Sequence, residues 1–362
     1  MRTSFLKNAL IVPVAALSLT GLVLAQDDAA DTTPARPRFV TLAPKPATGL
    51  AQPAVTLPTW NGSFTYKGTT YKYNMVGTAP STNASTTVQV FIIPIKVVIT
   101  SPLGTKTTFD PSHVLTNGKT VIQNTVDSPL FDSTTKYVQG GVDVGTTQYI
   151  DAYQRANFWG TVSGNPNYHL LLGGPTVLTE VTLSPPSTRG HTGKPFGFTA
   201  GEVDINWFDA ALQIIIKKLS KVQPNTLPIF LTYDVYLTSG GCCIGGYHSA
   251  TGAQAYSHAT YVDVVGQFSQ NVSALSHEIG EWADDPLVVN TNGNNSPCGI
   301  LEVGDPLENN ANFGDYPYSL GGFTYDLQDL VTLPYFGAPA STSVNNFFTF
   351  QGETLRVCQN GS

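Results

Sequence analysis

The chain has 362 residues, with 18 basic and 25 acidic side chains and a net charge of −7. No basic stripe runs along it, which excludes nucleic acid as a partner, because phosphate attraction needs clustered Lys and Arg. Charged residues are only 12% of the chain, about half the usual share, while aromatic and β-branched residues are plentiful, which excludes a disordered chain and suits an extracellular β-rich protein.

At the N-terminus, Arg2 and Lys7 precede an apolar run from Ala9 to Ala25, broken by Pro13, Ser18, Thr20 and Gly21. The run is short for a membrane span. It ends Val23-Leu24-Ala25, with small or apolar residues where a signal peptidase reads, so residues 1–25 read as a secretory signal. An uncleaved anchor is the alternative. The mature chain is expected to start near Gln26, with 16 basic residues against 25 acidic ones and a charge of about −9. It would be secreted or periplasmic, with no stable membrane insertion after cleavage. Residues 26–55 are rich in Ala, Pro and Thr and read as a linker.

Residues 56–362 are expected to form one α+β domain, with two lobes around a cleft as the alternative. Thr65 to Tyr71 reads as a hairpin turning at Lys67-Gly68. Val88 to Ile99 is a strong strand, in which Pro94 suggests an edge or a bulge. Thr147 to Phe158 has the spacing of a helix. Tyr168–Leu172 and Thr176–Leu183 read as strands, and 184–200 as a Gly/Pro loop. Asn206 to Leu219 is a second helix ending in basic residues. Leu227 to Leu237 reads as a strand, followed by a Gly-rich loop, then a strand from Tyr256 to Val265. A third helix runs from about Val272 to Ala283, capped by Asn271 and stopped by Pro286. Beyond it the chain reads as loops, with a last strand near Phe347 to Phe350.

The four cysteines are Cys242, Cys243, Cys298 and Cys358. In an exported chain they are candidates for disulfides, with three possible pairings, including a ring between Cys242 and Cys243. A thiolate zinc site is the alternative.

The third helix carries the chemistry. His277 and Glu281 lie four apart and project from one face, and Glu278 sits about 100° round from His277. This is the geometry of the His-Glu-x-x-His zinc helix with Glu in the last place. With six histidines and seven glutamates in the chain, the pattern is rare by chance. A surface helix would bring Lys or Arg at i±4; here Glu278, Glu281, Asp284 and Asp285 have no cation beside them, which calls for a metal ion or raised pKa values. Downstream, Glu302 is a candidate third ligand and Asp305 a partner that orients His277. His248 is expected to reach the site from the Gly-rich loop, as a ligand or facing a developing oxyanion; Tyr247 is the other oxyanion candidate. His258, in a strand that could pair with a peptide along an open edge, is weaker. His113, His169 and His191 are expected to be structural.

On these residues the chain resembles the gluzincin, or thermolysin-like, clan of zinc metallopeptidases. His277 matches the first ligand of that clan, Glu278 the base, Glu302 the downstream ligand and Asp305 the orienting Asp. Glu281 departs from it, standing where the clan has its second His. The run His277-Glu278-Ile279-Gly280-Glu281, then Asp285-Pro286, then Glu302-Val303-Gly304-Asp305, more closely resembles a group of exported bacterial proteins described as zincin-like. Gly246-Tyr247-His248-Ser249 and Thr147-Gln148-Tyr149-Ile150-Asp151 resemble segments of that group too. The resemblance covers much of residues 88–330. It implies a zincin-like mixed sheet with an active-site helix and a loop-rich C-terminal part, and a metallohydrolase, without supplying a substrate; the expected activity is that of a secreted metal-dependent endopeptidase acting on protein or peptide substrates. One His with two carboxylates is a harder donor set than most zinc sites, so manganese or iron stands beside zinc. Two rivals remain: an extracellular binding protein whose Asp/Asn-rich loops hold structural calcium, and a carboxylate-pair glycoside hydrolase.

Overall fold

The computed structural model describes residues 36–46, 55–66, 68–289, 301–332, 336–340, 343–344 and 347–353. The signal segment, Cys298 and Cys358 lie outside these. In chain order the elements begin with β1 (Arg38–Thr41), β2 (Thr59–Tyr66), β3 (Thr69–Val76), β4 (Ser85–Thr100) and β5 (Lys106–Phe109). Then come α1 (Val121–Val126), β6 (Lys136–Gln139), β7 (Val142–Thr146), α2 (Tyr149–Asn157), α3 (Trp159–Val162), β8 (His169–Val177), β9 (Val181–Leu183), β10 (Gly190–Gly193) and β11 (Ala200–Asp204). α4 (Ile205–Lys218), β12 (Thr226–Tyr233), β13 (Val235–Thr238), β14 (Cys242–Thr251), β15 (Gln254–Tyr261) and α5 (Ser273–Asp284) follow. The last are β16 (Asp315–Leu320), β17 (Phe323–Gln328), β18 (Val331–Thr332), β19 (Ser343–Val344) and β20 (Phe347–Thr349).

The fold is α+β, built on one mixed sheet of eleven strands in the order β10-β11-β13-β14-β15-β12-β4-β5, with β8 and β9 also paired to β4 and β1 to β14. β4 explains the layering. Its Val88, Val90 and Ile92 pack into the core that holds α2 and α5, while Phe91, Ile93, Ile95, Val97 and Ile99 pack into the core that holds α4. Successive strand side chains point to opposite faces, so a strand apolar on both must lie inside a covered sheet. β4 is therefore central, which corrects the edge reading of Pro94. Pairing to β8 ends at Ile92 and pairing to β9 begins at Ile95, so the proline falls where that ladder is interrupted.

Five further corrections follow from the topology. The segment 26–55 is not all linker: β1 lies in it and pairs parallel with β14. The loop at 184–200 contains β10. The Gly-rich stretch before Tyr256 is β14, a strand flanked by β15 and β1. β15 has β14 on one side and β12 on the other, so it offers no open edge. The C-terminal region contains the β16–β17 hairpin, which turns at Gly321-Gly322, both with positive φ. Cys242 and Cys243 are disulfide-bonded to each other. No helix among the described residues is long and apolar enough to cross a membrane.

The expected strand Leu227–Leu237 is broken at Asp234, whose φ is +51°. Asp and Asn are the non-glycine residues that best tolerate this left-handed region. Burial raises the Asp234 carboxyl to about 7, with nearby Asp263 adding to the shift. A carboxyl raised in the folded state stabilises the fold in full below its unfolded value near 4, and that contribution is lost as pH rises through about 7. Asp234→Asn keeps the bend and stays neutral. Its stability advantage over wild type is expected to widen by about 3–4 kcal/mol between pH 4 and pH 8. Chemical denaturation at the two pH values checks this, and a constant gap would show that Asp234 ionises as freely in the fold as in the unfolded chain.

Candidate metal centre

α5 is buried along its whole length, including His277, Glu278 and Glu281. Its apolar residues Val272, Leu275, Ile279 and Trp282 hold it in the core. Its start is one residue later than expected. Val272 is the cap position, and Asn271, at φ +42°, accepts from the Val272 N–H and donates to Asp326 Oδ2, joining the helix start to β17. Pro286 follows the last turn, as read.

Ionisable groups in such a setting need partners. His277 Nε2 lies 2.9 Å from Glu281 Oε1 and 3.6 Å from Asp305 Oδ1. His248 Nδ1 lies 3.5 Å from Glu278 Oε2 and 3.4 Å from Glu281 Oε2. These atoms fall into two convergent sets, His277–Glu281–Asp305 and His248–Glu278–Glu281, each with its ligating atoms within 4.8 Å of one another. Glu281 belongs to both. Yet His277 Nε2, Glu281 Oε1, both Glu278 oxygens and both His248 nitrogens make no hydrogen bond to the protein. The side chains converge on shared points rather than aim donors at acceptors, which is how ligands surround a cation.

The tautomer of His277 is set from behind. Gln328 spends its amide N–H on the Phe313 carbonyl, at 3.0 Å, so its Oε1 faces His277 Nδ1 and accepts from it. Nδ1 thus carries the proton in the neutral ring, and Nε2 presents its lone pair to Glu281 and Asp305. Gln328 fills the orienting role expected of Asp305, which lies instead on the Nε2 side, with 41% of its side chain exposed. Two glycines make the fit possible. A Cβ on Gly304 would overlap His277 Nδ1 and Gln328 Oε1, and one on Gly246 would lie 2.7 Å from Glu278 Oε1.

Electrostatics follow from crowding four carboxylates around two imidazoles. Burial pushes His277 down, but Glu281, Glu278 and Asp305 together outweigh it and raise the ring to about 10. The same balance raises His248 well above its ordinary value, through Glu278, Glu281 and Glu302. Burial raises Glu278 to about 7, and Glu302 goes up through burial and the charge of Glu281. Burial works against ionised Glu281, but the two imidazoles hold its carboxyl below the usual range. Among the described residues, the ion pairs formed by Lys and Arg all go elsewhere. With all four carboxylates ionised and both rings protonated, two negative charges would be left over; a divalent cation would neutralise them, and without one the raised Glu278, Glu302 and Asp305 carboxyls relieve the excess by holding protons.

The structure brings together His277, Glu278, Glu281, His248, Glu302 and Asp305. Glu302 lies beside Glu281 and accepts from Thr41 Oγ1 at 2.8 Å. Tyr247 is excluded: it projects from the opposite face of β14 and donates to Asp209 Oδ1 at 3.0 Å. His258 is also elsewhere, buried with Nε2 3.1 Å from Thr232 Oγ1 and pushed down to about 3 by burial. His169 pairs with Asp151, His191 with Glu202, and His113 stacks on Tyr233. The sequence reading missed Gln328, Thr41, and Phe39, whose ring stacks on His277 with centroids 3.9 Å apart. No family model, curated protein or solved structure matches this chain.

Proposed function

We propose that the chain is a metal-dependent hydrolase. The observation that carries this reading is the convergence of His277 Nε2, Glu281 and Asp305 on one point, with Glu278 and His248 grouped on the other oxygen of Glu281. More particularly, it is an exported endopeptidase, a reading supported by the N-terminal signal pattern and the His-Glu-x-x-Glu resemblance to zincin-like proteins.

His277, Glu281 and Asp305 would hold the ion, with Glu302 as a further oxygen beside Glu281. The His277 imidazole amid carboxylates favours zinc, manganese or iron over calcium, which takes oxygen ligands alone. A bound metal would polarise the scissile carbonyl and lower the pKa of water. Glu278 is not in the His277 set, so its carboxylate stays free to take a proton from that water and pass it to the leaving amine. His248, protonated on Nδ1 between Glu278 and Glu281, would face the developing oxyanion. The same two imidazoles tell against the glycosidase reading, since a carboxylate pair alone would serve that reaction.

The test couples metal to activity. Zinc-loaded protein whose site is open to solvent should cleave a denatured protein substrate, lose that activity on chelation and regain it on adding the metal back. Metal-loaded protein that cleaves nothing, with its site open to solvent, would refute the peptidase reading.

A further inference from the structure

β14 has two edges. Gly246 to Thr251 pair with β15 along one of them. Along the other, β1 runs parallel, with Arg38 opposite Ile244, Val40 opposite Tyr247 and Thr41 opposite His248. The pairing extends past β1 at both ends. Arg36 exchanges backbone hydrogen bonds with Cys242 and Cys243, the Leu42 N–H donates to the His248 carbonyl, and Lys45 exchanges bonds with Ala250 and Gly252.

The side chains alternate as a strand requires. Val40 and Leu42 pack toward the α4 core. Phe39 and Thr41 point the other way, onto the candidate metal centre. Phe39 stacks on the His277 ring, its N–H donates to Glu308 Oε2 at 3.1 Å, and Thr41 donates to Glu302. Lys45 pins the far end through an ion pair with the fully buried Asp209. Under this segment His277, Glu278 and His248 have 0% of their surface exposed and Glu281 has 1%, while Asp305 stands at the rim with 41% of its side chain exposed. No peptide carbonyl reaches Glu278 in this arrangement.

We propose that residues 36–46 are a strap that closes the metal centre by filling the edge of β14, and that the vacated edge takes an extended peptide. A strand edge without its partner presents unpaired N–H and C=O groups, which bind extended chains by strand addition. Here that edge runs directly past His248 and the cluster, so a peptide paired there would lie across Glu278. What the opened site does to that peptide rests on the hydrolase reading; the closure rests on the strap's own contacts.

The experiment places a site-specific protease sequence within residues 47–54 of the full chain and compares uncut protein, cut protein freed of its N-terminal fragment, and that cut protein with a synthetic peptide of residues 36–46 added. Two readouts are taken: the rate at which apoprotein takes up zinc, and hydrolysis of a peptide pool. A closed state that opens 0.1–10% of the time slows access by about 10- to 1,000-fold. Cutting should therefore speed zinc uptake at least tenfold and switch hydrolysis on, and the synthetic peptide should reverse both. Phe39→Ala with Thr41→Ala in the uncut chain should give part of the same acceleration. Faster uptake without hydrolysis in any state would support the strap and remove the hydrolase. Equal uptake and equal hydrolysis in cut and uncut protein would overturn the strap and leave the hydrolase standing. Loss of near-ultraviolet circular dichroism on cutting, with no acceleration in the double variant, would make the segment an ordinary structural strand and overturn the proposal.

Discussion

Replacing Glu278 by Gln is expected to lower peptide hydrolysis by about 10³-fold while leaving the bound metal in place. Gln has the shape of Glu, so it fits the space that Gly246 leaves beneath β14. It cannot accept a proton. Glu278 belongs to the set around His248 rather than the set around His277, so metal affinity should change little. Folding should not suffer either, because one of three crowded buried glutamates becomes neutral. The comparison is made with the strap cut as well as intact, so that access and chemistry are read separately. If Glu278→Gln retains more than a tenth of wild-type activity, some other group takes the proton. If it loses metal together with activity, Glu278 is a ligand and the base must be sought elsewhere.

The second large effect is expected at Glu281. Its two oxygens face different imidazoles, Oε1 toward His277 and Oε2 toward His248, so it joins the two halves of the site. Zinc at a hundredfold excess over Kd should stabilise wild type by about 2.7 kcal/mol, which for a chain of this size raises Tm by about 3–5 °C. In Glu281→Ala that shift should vanish. The apoprotein comparison is informative too, since the variant leaves His277 and His248 with fewer carboxylates to hold their protons. A zinc-dependent shift that survives in Glu281→Ala would mean that zinc binds outside this cluster.

The helix was legible because its chemistry is local. His277, Glu278 and Glu281 stand on one face at fixed spacing, and the Pro286 stop and apolar stripe follow the same rules. Residues 205–218 were equally readable, since Asp204 caps the helix through the Trp207 N–H and Lys217 and Lys218 end it. What failed was everything decided by distant pairing. β14 reads as a loop because Gly240 and Gly241 precede it and Gly245 and Gly246 punctuate it, but the latter two are small to admit the Phe268–Ser269 side chains and Glu278. Once 242–251 is a strand, alternation alone separates His248 from Tyr247. β1 is four residues long within an Ala/Pro/Thr-rich stretch, and only its partner makes it a strand. Gln328 sits 51 residues from His277 and reaches it through a hairpin. The Gly321-Gly322 turn between aromatic runs was the available signal for that hairpin. Nothing local marks the glutamine itself.

Everything proposed for the site depends on His277 and its neighbours holding a metal ion. The direct measurement is the metal content of the purified protein by elemental mass spectrometry, wild type beside His277→Ala. About one equivalent of zinc, manganese or iron in wild type, lost in the variant, is the result expected of a single site of this kind. No transition metal in wild type after zinc loading, or the same amount in both proteins, would contradict it.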